Sequence, residues 1–165
     1  MRTLSRTGAS LRDIEAVYTR RFHAYASVAA AILRDREGGC DVVQEAFAKA
    51  VRTRSSFRSD GSLDAWLWRT VVNTALDERR SRARDAERLP SPSPPSSNGD
   101  RPDSGVAAAI ARLPERQRLV LFLRYYADLD YATIADTLGI AAGTVAATLN
   151  AAHQALRRQL EEVQT

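Results

Sequence analysis

The sequence predicts an all-α protein of two small helical domains joined by a flexible linker. Along the 165-residue chain, apolar residues recur at intervals of three and four, which is typical of amphipathic helices. No segment alternates polar and apolar residues as a half-buried strand does, and no fixed-period repeat is visible. A segment rich in proline and serine, residues 89–105, interrupts the helical pattern and separates residues 10–88 from residues 106–165.

The first helix is marked by its N-terminal cap. Ser10 followed by Asp13 resembles a capping box, in which polar side chains satisfy free N–H groups of the first turn. An apolar stripe continues over residues 14–33, and the pair Gly38-Gly39 is predicted to end the helix. We therefore expect one long amphipathic helix at the start of the first domain.

A second helix, over residues 41–51, has an apolar face and a polar face. The apolar face is predicted to be buried and comprises Val43, Ala46, Phe47 and Ala50. The polar face comprises Asp41, Gln44, Glu45 and Lys49. After a turn over residues 57–61, Ser62 can cap a third helix that extends to about residue 84.

The second domain is predicted to contain a helix-turn-helix. A helix over residues 106–113 is followed by Pro114, which can open the next helix at its first turn. Two further helices flank Gly139, where the turn needs a residue that tolerates positive φ. The last helix repeats apolar residues at spacings of four and three, namely Val145, Leu149, Ala152 and Leu156. Such a helix can enter a DNA major groove, although a plain packing hairpin shares the pattern.

The segment over residues 89–105 holds five of the six prolines in the chain. Its composition favours an extended, mobile tether over a packed core. A long surface loop within one domain is the alternative, but structureless loops of this length are unusual inside compact domains. We therefore expect two domains.

The distribution of charge separates the two domains. The net charge of +4 and the isoelectric point near 9.7 suit a polyanionic partner. Residues 1–88 carry 17 Lys and Arg against 12 Asp and Glu, whereas residues 106–165 carry six of each. The basic surplus therefore lies in the domain that lacks the predicted helix-turn-helix.

Few features of the sequence point to enzyme chemistry. It has no Gly-rich phosphate loop after a strand, no HExxH motif and no GxSxG motif. Cys40 is the only cysteine, and the two histidines, His23 and His153, are far apart in the sequence, so a disulfide and a zinc site are not expected. We expect no enzymatic activity, no catalytic residue, no cofactor and no metal. Cys40 is interpreted as a buried thiol, with a redox sensor as the alternative.

The location of the protein follows from its hydrophobic segments. No apolar run is long enough to span a bilayer. Residues 1–10 carry charge without the hydrophobic stretch of a secretory signal. We therefore expect a cytoplasmic protein with no membrane insertion.

The third helix carries tryptophans followed by a run of arginines. Trp66 and Trp68 cannot share one face, because neighbours two apart point about 200° from each other. One is predicted to lie in the core, and the other can stack on an unpaired base. The arginines are spaced to line a phosphate backbone and comprise Arg79, Arg80, Arg82, Arg84 and Arg88. With Asn73 on the same helix, the pattern favours single-stranded DNA, while a solvated helix end is the alternative for the arginines.

Three segments, in this order, carry a family resemblance: DVVQEAF, FRSDGSLDAWLWRTVVNTALDERRSRAR and LPERQRLVLFLRYYADLDYATIADTLGIAAGTV. Together they resemble an extracytoplasmic-function (ECF) sigma factor of the sigma-70 family of bacterial RNA polymerase. The resemblance implies a subunit that binds core polymerase and directs it to promoters. It makes residues 10–88 region 2, residues 89–105 the linker and residues 106–165 region 4.

The resemblance also implies three sets of contacts. The polar face of the second helix, Asp41, Gln44, Glu45 and Lys49, would dock on the β′ subunit. The −10 element would be opened and held by Phe57, Trp66, Trp68, Asn73, Arg79, Arg80, Arg82 and Arg84. Region 4 would pack on the β subunit and contact the −35 element through Thr144, Ala146, Ala147, Thr148, Asn150 and His153. Proteins of this family are often held inactive by an anti-sigma factor, which is a further expected partner.

The chain departs from the family pattern in the last helix. The family usually follows GTV with a Lys or Arg and has further arginines one turn along, where this chain has Ala146, Thr148, Ala151 and His153. Methyl groups and Asn150 can contact base edges, but they do not neutralise phosphates. We therefore predict that region 4 binds the −35 element only weakly by itself.

Two other classes of protein are compatible with parts of the sequence. A helix-turn-helix regulator that acts without joining the polymerase would leave the polar face of residues 41–51 and Asn73 without a role. A helical adaptor would use the alanine-rich last helix to bind a protein instead of DNA.

Overall fold

In a computed structural model of the chain, the structure describes residues 8–58, 61–88 and 105–163. The described residues form helices and turns without a strand, so the predicted all-α class is confirmed. The chain divides into two compact units, Met1–Pro92 and Ser93–Thr165. The predicted linker lies outside the described residues except for Gly105, the first residue of a helix.

The first unit is a bundle of three helices. They are α1 (Leu11–Leu33), α2 (Arg36–Arg52) and α3 (Leu63–Arg88), with a 3-10 turn (Arg54–Ser56) after α2. Aromatic rings fill its centre: the ring of Tyr25 lies 4.1 Å from that of Trp68 and 5.2 Å from that of Phe47, between ring centroids. The four apolar side chains predicted for α2 are buried, namely Val43, Ala46, Phe47 and Ala50.

The predicted caps of α1 and α3 are present. The Ser10 hydroxyl accepts a hydrogen bond from the N–H of Asp13 at 3.1 Å and donates to its carboxylate at 2.7 Å. The hydroxyl of Ser62 accepts from the N–H of Ala65 at 3.4 Å, and α3 extends one turn beyond its predicted end, to Arg88. Local polar chemistry therefore fixes where both helices begin.

The pair Gly38-Gly39 does not end α1, so that prediction is wrong. The helix ends at Leu33, where Arg34 adopts a left-handed conformation with φ 56° and its N–H bonds to the carbonyl of Ala30. Both glycines lie in the first turns of α2. A Cβ on Gly39 would stand 2.7 Å from the backbone nitrogen of Ala30, so glycine serves the close approach of α2 to α1.

The described part of the second unit contains four α-helices and a π-helical turn. They are α4 (Gly105–Arg112), α5 (Glu115–Leu121), which continues into the π turn Phe122–Tyr126, α6 (Tyr131–Leu138) and α7 (Ala142–Val163). Pro114 stands immediately before α5, one residue earlier than a first-turn position. The buried guanidinium of Arg118 donates to the carbonyls of Ala111 and Leu113, both at 3.3 Å. A cation at these carbonyls favours the end of α4, because a helix C-terminus carries partial negative charge.

The helix-turn-helix is formed by α6 and α7. Asp130 caps α6 by accepting from the N–H of Thr133 at 2.7 Å, and this hydrogen bond lowers the pKa of the Asp130 carboxyl. Gly139 ends α6 with φ 65°, as predicted, and the axis of α7 turns by 103° from that of α6. This angle lies within the range of helix-turn-helix units. Apolar side chains of α7 are buried at the predicted positions Val145, Leu149 and Ala152.

In the described ranges, no single helix is long and apolar enough to cross a membrane. Helices α6 and α7 together have the length and composition of a membrane-spanning segment, but the pair is bent by 103°. No group of three or more His, Cys, Asp and Glu side chains that could hold a metal ion occurs in the same ranges.

Candidate nucleic-acid interface

The outer face of α2 is charged and has no partner within the unit. Its four polar side chains are exposed, and none makes a hydrogen bond or an ion pair with another described residue: Asp41, Gln44, Glu45 and Lys49. Beside it lies an apolar groove of about 400 Å³ between α1 and α2, with Leu11 half exposed at its rim. Unpaired charges next to exposed apolar surface are typical of a protein-binding surface.

A continuous row of accessible side chains runs along α3, opposite its buried face. We call it the α3 stripe, and it comprises Trp66, Thr70, Asn73, Asp77, Arg80 and Arg84. Spacings of three and four place these residues on one side of the helix. The stripe therefore presents an aromatic ring, a hydroxyl, an amide, a carboxylate and two cations along one line. Sequence reasoning had missed Thr70, although its helical spacing from Trp66 and Asn73 was enough to find it.

The loop before α3 adds a second ring to this row. Phe57 and Trp66 are both partly exposed, and their ring centroids lie 5.6 Å apart at an interplanar angle of 56°. The two rings lie at the N-terminal end of the α3 stripe. Exposed aromatic rings offer stacking surfaces to unpaired bases.

Trp68 lies in the core, so its interpretation as a DNA contact is wrong. The side chain has no exposed surface and packs against Tyr25. Trp66 is the accessible tryptophan of the pair. The prediction that one of the two is buried is therefore confirmed, and the structure decides which.

The four predicted arginines of α3 have different environments. Arg84 is exposed and has no partner within the described residues, and Arg80 forms an exposed ion pair with Asp77 at 3.0 Å. Arg79 is only partly exposed and lies on the side of α3 that faces the bundle. Arg80 and Arg84 are therefore the two that share the α3 stripe.

The fourth arginine, Arg82, has a structural role. Its guanidinium donates to Asp35 and to Glu78, each at 2.8 Å. The hydrogen bond from Arg82 lowers the pKa of the Asp35 carboxyl, with a further contribution from the N–H of Gly38, and these carboxylates raise the pKa of Arg82. This pairing joins α3 to the junction between α1 and α2. Arg82 remains exposed, so its role as a phosphate contact stays a prediction.

The outward face of α7 is nearly uncharged over its first three turns. Four of the predicted contact residues are exposed, namely Thr144, Ala146, Ala147 and Asn150. Thr148 is half-buried, and its hydroxyl donates to the carbonyl of Thr144 at 2.7 Å. Gln154, which sequence reasoning had missed, shares this outward face with Asn150, and the exposed cations Arg157 and Arg158 follow it.

His153 lies against the unit rather than on the outward face of α7. The hydroxyl of Tyr125 and Nε2 of His153 form a hydrogen bond of 2.9 Å. Both line an apolar pocket of about 330 Å³ whose walls come from α4, α5, the π turn and α7. His153 is itself exposed, so its role as a base contact stays a prediction, although α7 directs this side chain toward the π turn.

A helix-turn-helix unit and a second helical unit with an aromatic and basic stripe define a two-part DNA-binding protein. The family model described as "Sigma-70 region 2" matches residues 17–85, and the model "Sigma-70, region 4" matches residues 105–157. Each model falls within one compact unit.

Proteins with similar sequences are RNA polymerase sigma factors. The RNA polymerase sigma-H factor of Pseudomonas aeruginosa is 31% identical over 148 residues, which cover 78% of this chain and 76% of that protein. The ECF RNA polymerase sigma factor SigM of Mycobacterium tuberculosis is 34% identical over 138 residues, which cover 80% of this chain and 69% of that protein. The chain therefore belongs to the ECF family of RNA polymerase sigma factors.

A solved structure supports the fold. The sigma factor RpoE in complex with the anti-sigma factor NepR from Bartonella quintana superposes with a TM-score of 0.73. The two chains are 23% identical, and the match covers 92% of this chain and 98% of that one.

Proposed function

We propose that this ECF sigma factor binds the core of bacterial RNA polymerase and directs it to promoters by a division of work between its units. Region 2, residues 10–88, binds core polymerase and the −10 element, and region 4, residues 106–165, contacts the −35 element. Residues 89–105 tether the two. The observation that carries the proposal is the α3 stripe, because it puts stacking, hydrogen-bonding and cationic groups in one line.

The outer face of α2 is the proposed contact with the β′ subunit. Its four side chains are exposed and without internal partners, so binding a protein breaks no bond within the described residues. The apolar groove beside Gln44 extends the same surface toward Leu11. A charged rim next to an apolar patch matches the composition of protein interfaces.

The α3 stripe is the proposed contact with the unwound −10 strand. Phe57 and Trp66 stack on bases, Asn73 hydrogen-bonds an extruded base, and Arg80 and Arg84 neutralise phosphates. Extruding a base costs a few kcal/mol. Stacking contributes roughly 1–3 kcal/mol per base, so two rings are sufficient to offset that cost.

The outward face of α7 is the proposed contact with the −35 element. Ala146, Ala147 and Thr144 offer methyl groups to thymine, and Asn150 offers an amide to a base edge. Cations on this face begin only at Arg157, and Arg124 is held by the carbonyl of Leu129 at 3.2 Å and by Asp128. With so few phosphate contacts, region 4 binds DNA weakly by itself and depends on the holoenzyme for its position.

Membership of this family predicts further binding partners. The structural relative RpoE was solved with the anti-sigma factor NepR, and this supports an anti-sigma protein as a partner of this chain too. We propose that the chain acts in the cytoplasm, contacts the β subunit through region 4 and has no catalytic activity or cofactor of its own.

Transcription with purified components tests the proposal. The full chain is mixed with core polymerase and genomic promoter fragments, and run-off RNA is mapped at its 5′ end. We expect RNA that starts at defined nucleotides only when the chain is present. A regulator that acts without joining the polymerase, or an adaptor, yields no such RNA, and that result contradicts the proposal.

Two substitutions separate the activities of region 2. Glu45→Lys on α2 should weaken core binding, because it reverses a charge at the proposed interface. Asn73→Ala should leave core binding intact and impair promoter melting or −10 selection. Each variant is the control for the other, and an Asn73→Ala variant that initiates normally contradicts the role given to Asn73.

A further inference from the structure

The chain preceding α1 crosses the 3-10 turn that follows α2. The N–H of Gly8 donates to the carbonyl of Phe57 at 3.0 Å, and the N–H of Ala9 donates to the carbonyl of Arg54 at 2.9 Å. We call Gly8 and Ala9 the N-terminal latch. It joins the start of the chain to a loop more than 40 residues further on.

Glycine is required at the first position of the latch. Gly8 has φ +108°, a conformation that side-chain-bearing residues rarely adopt. A Cβ there would also stand 3.2 Å from the carbonyl oxygen of Arg54 and 3.3 Å from Cα of Ser55. Any other residue at this position therefore strains the latch or opens it.

Among the described residues of the loop, the latch alone bonds to the carbonyl of Phe57. The N–H of Phe57 bonds to Arg54 within the turn at 3.3 Å, and its ring contacts Trp66 of α3. The remaining backbone group, its carbonyl, is the one that Gly8 takes. Phe57 is thus fixed at three points, and the chain then enters the turn that leads to α3.

The latch is separate from the stabilisation of the helices. The start of α1 is capped by Ser10 and Asp13, which do not take part in the latch. The 3-10 turn has its own bond, from the hydroxyl of Ser56 to the carbonyl of Thr53 at 2.7 Å. Opening the latch therefore frees Phe57 without removing a cap or a core side chain.

We infer that Gly8 is a positioning residue for −10 recognition: it holds Phe57 in the orientation in which its ring and that of Trp66 receive a base. This inference rests on the role proposed for Phe57. A ring that is already oriented loses less conformational freedom when a base stacks on it, so the latch favours binding.

The test uses holoenzyme assembled from the full chain and core polymerase. The probe is a fork-junction DNA with a single-stranded −10 strand from a promoter mapped by run-off transcription, and a matched probe lacks the extruded base. The variants are Gly8→Val, which opens the latch by strain, and a deletion of residues 1–8, which removes the bond from Gly8 to Phe57 without a clash. Gly105→Ala is the control, since a Cβ there meets no atom within 4 Å.

We expect both latch variants to lose up to about tenfold in affinity for the complete probe, the scale of the cost of ordering one side chain at an interface. Affinity for the probe without the base and affinity for core polymerase should stay near the values of the unaltered chain, and the unfolding temperature should fall by only several degrees. The ratio between the two probes therefore falls, which a general loss of stability does not produce. Gly105→Ala should leave this ratio unchanged.

Two results overturn the inference. One is an unchanged ratio in both latch variants, and the other is a parallel loss of core binding and probe binding. Phe57→Ala, measured alongside, tests the underlying proposal: if it also leaves the ratio unchanged, the role of Phe57 itself is wrong. If Phe57→Ala lowers the ratio and the latch variants do not, only the role of Gly8 is wrong.

Discussion

Helices α3 and α7 bear the proposed DNA contacts of the two units, and their outward faces differ in chemistry. On α3, the stripe combines an aromatic ring, an amide and two arginines. On α7, the first three turns expose glycine, alanine, threonine and amides, and arginines appear only toward the C-terminal end. A helix that meets unpaired bases needs stacking surfaces and charge, whereas a helix in a duplex groove can bind through shape and methyl contacts.

This difference implies an unequal division of binding energy. In the proposed binding mode, the α3 stripe contributes stacking and phosphate neutralisation, which act without the rest of the promoter. In the same proposal, the face of α7 contributes base contacts that become useful once the holoenzyme has placed region 4 on DNA. Region 2 is therefore expected to hold the promoter, and region 4 to adjust which promoter is chosen.

The largest expected effect distinguishes the two tryptophans of α3. Trp68→Ala should destabilise the first unit by about 3–5 kcal/mol, because it empties the centre of the core. Trp66→Ala should cost at most about 1.5 kcal/mol of stability but about 1–3 kcal/mol of affinity for the −10 strand. Denaturant unfolding and fork-junction binding measure the two quantities. A stable Trp68→Ala variant, or full binding by Trp66→Ala, would refute this assignment.

A smaller effect is expected when charge is added to α7. Ala151→Arg places a cation on the outward face, where the family usually has arginines. It should raise the affinity of the holoenzyme for the −35 element and steepen the salt dependence by about one phosphate contact, a slope change of roughly 0.9. Ala151→Gln is the uncharged control and should change neither. An unchanged salt slope for Ala151→Arg would show that this face does not lie near phosphates.

The pairing of Asp35 with Arg82 predicts a modest dependence of stability on pH. Because the folded-state pKa of Asp35 is lowered, its contribution is complete above the unfolded value of about 4 and is lost as pH falls through the folded value. Asp35→Asn should therefore cost about 0.5–1 kcal/mol at neutral pH, after allowance for solvent screening, and flatten the unfolding profile below about pH 4. Asp85→Asn, at an exposed carboxylate of α3, is the control. Identical acid profiles for the two variants would contradict this role.

The smallest effect concerns His153. If its ring is held by Tyr125, His153→Ala should lower the stability of the second unit by roughly 0.5–1 kcal/mol, one net hydrogen bond. It should leave binding to the −35 element unchanged, in contrast to Asn150→Ala. Thermal unfolding and promoter affinity of the holoenzyme give the two readouts. A loss of DNA affinity with unchanged stability would show that His153 contacts DNA rather than stabilising the unit.

The sequence was sufficient for the fold class, the helix-turn-helix and the inward face of α2, because helical periodicity encodes them directly. It was not sufficient for the role of Gly38-Gly39, because a glycine that permits close packing cannot be distinguished by sequence alone from one that ends a helix. Which of Trp66 and Trp68 is buried depends on where α1 packs against α3, and this position is set by contacts between residues distant in the sequence. The environments of Arg82 and His153 depended on Asp35 and Tyr125, which are distant in the sequence.

The claim that region 2 holds the promoter is tested most directly by start-site-specific transcription from templates in which one element is replaced. We expect that replacing the −10 element abolishes specific RNA, while replacing the −35 element lowers it by about tenfold or less, the loss of one good base contact. An equal or larger loss from the −35 replacement would contradict the account.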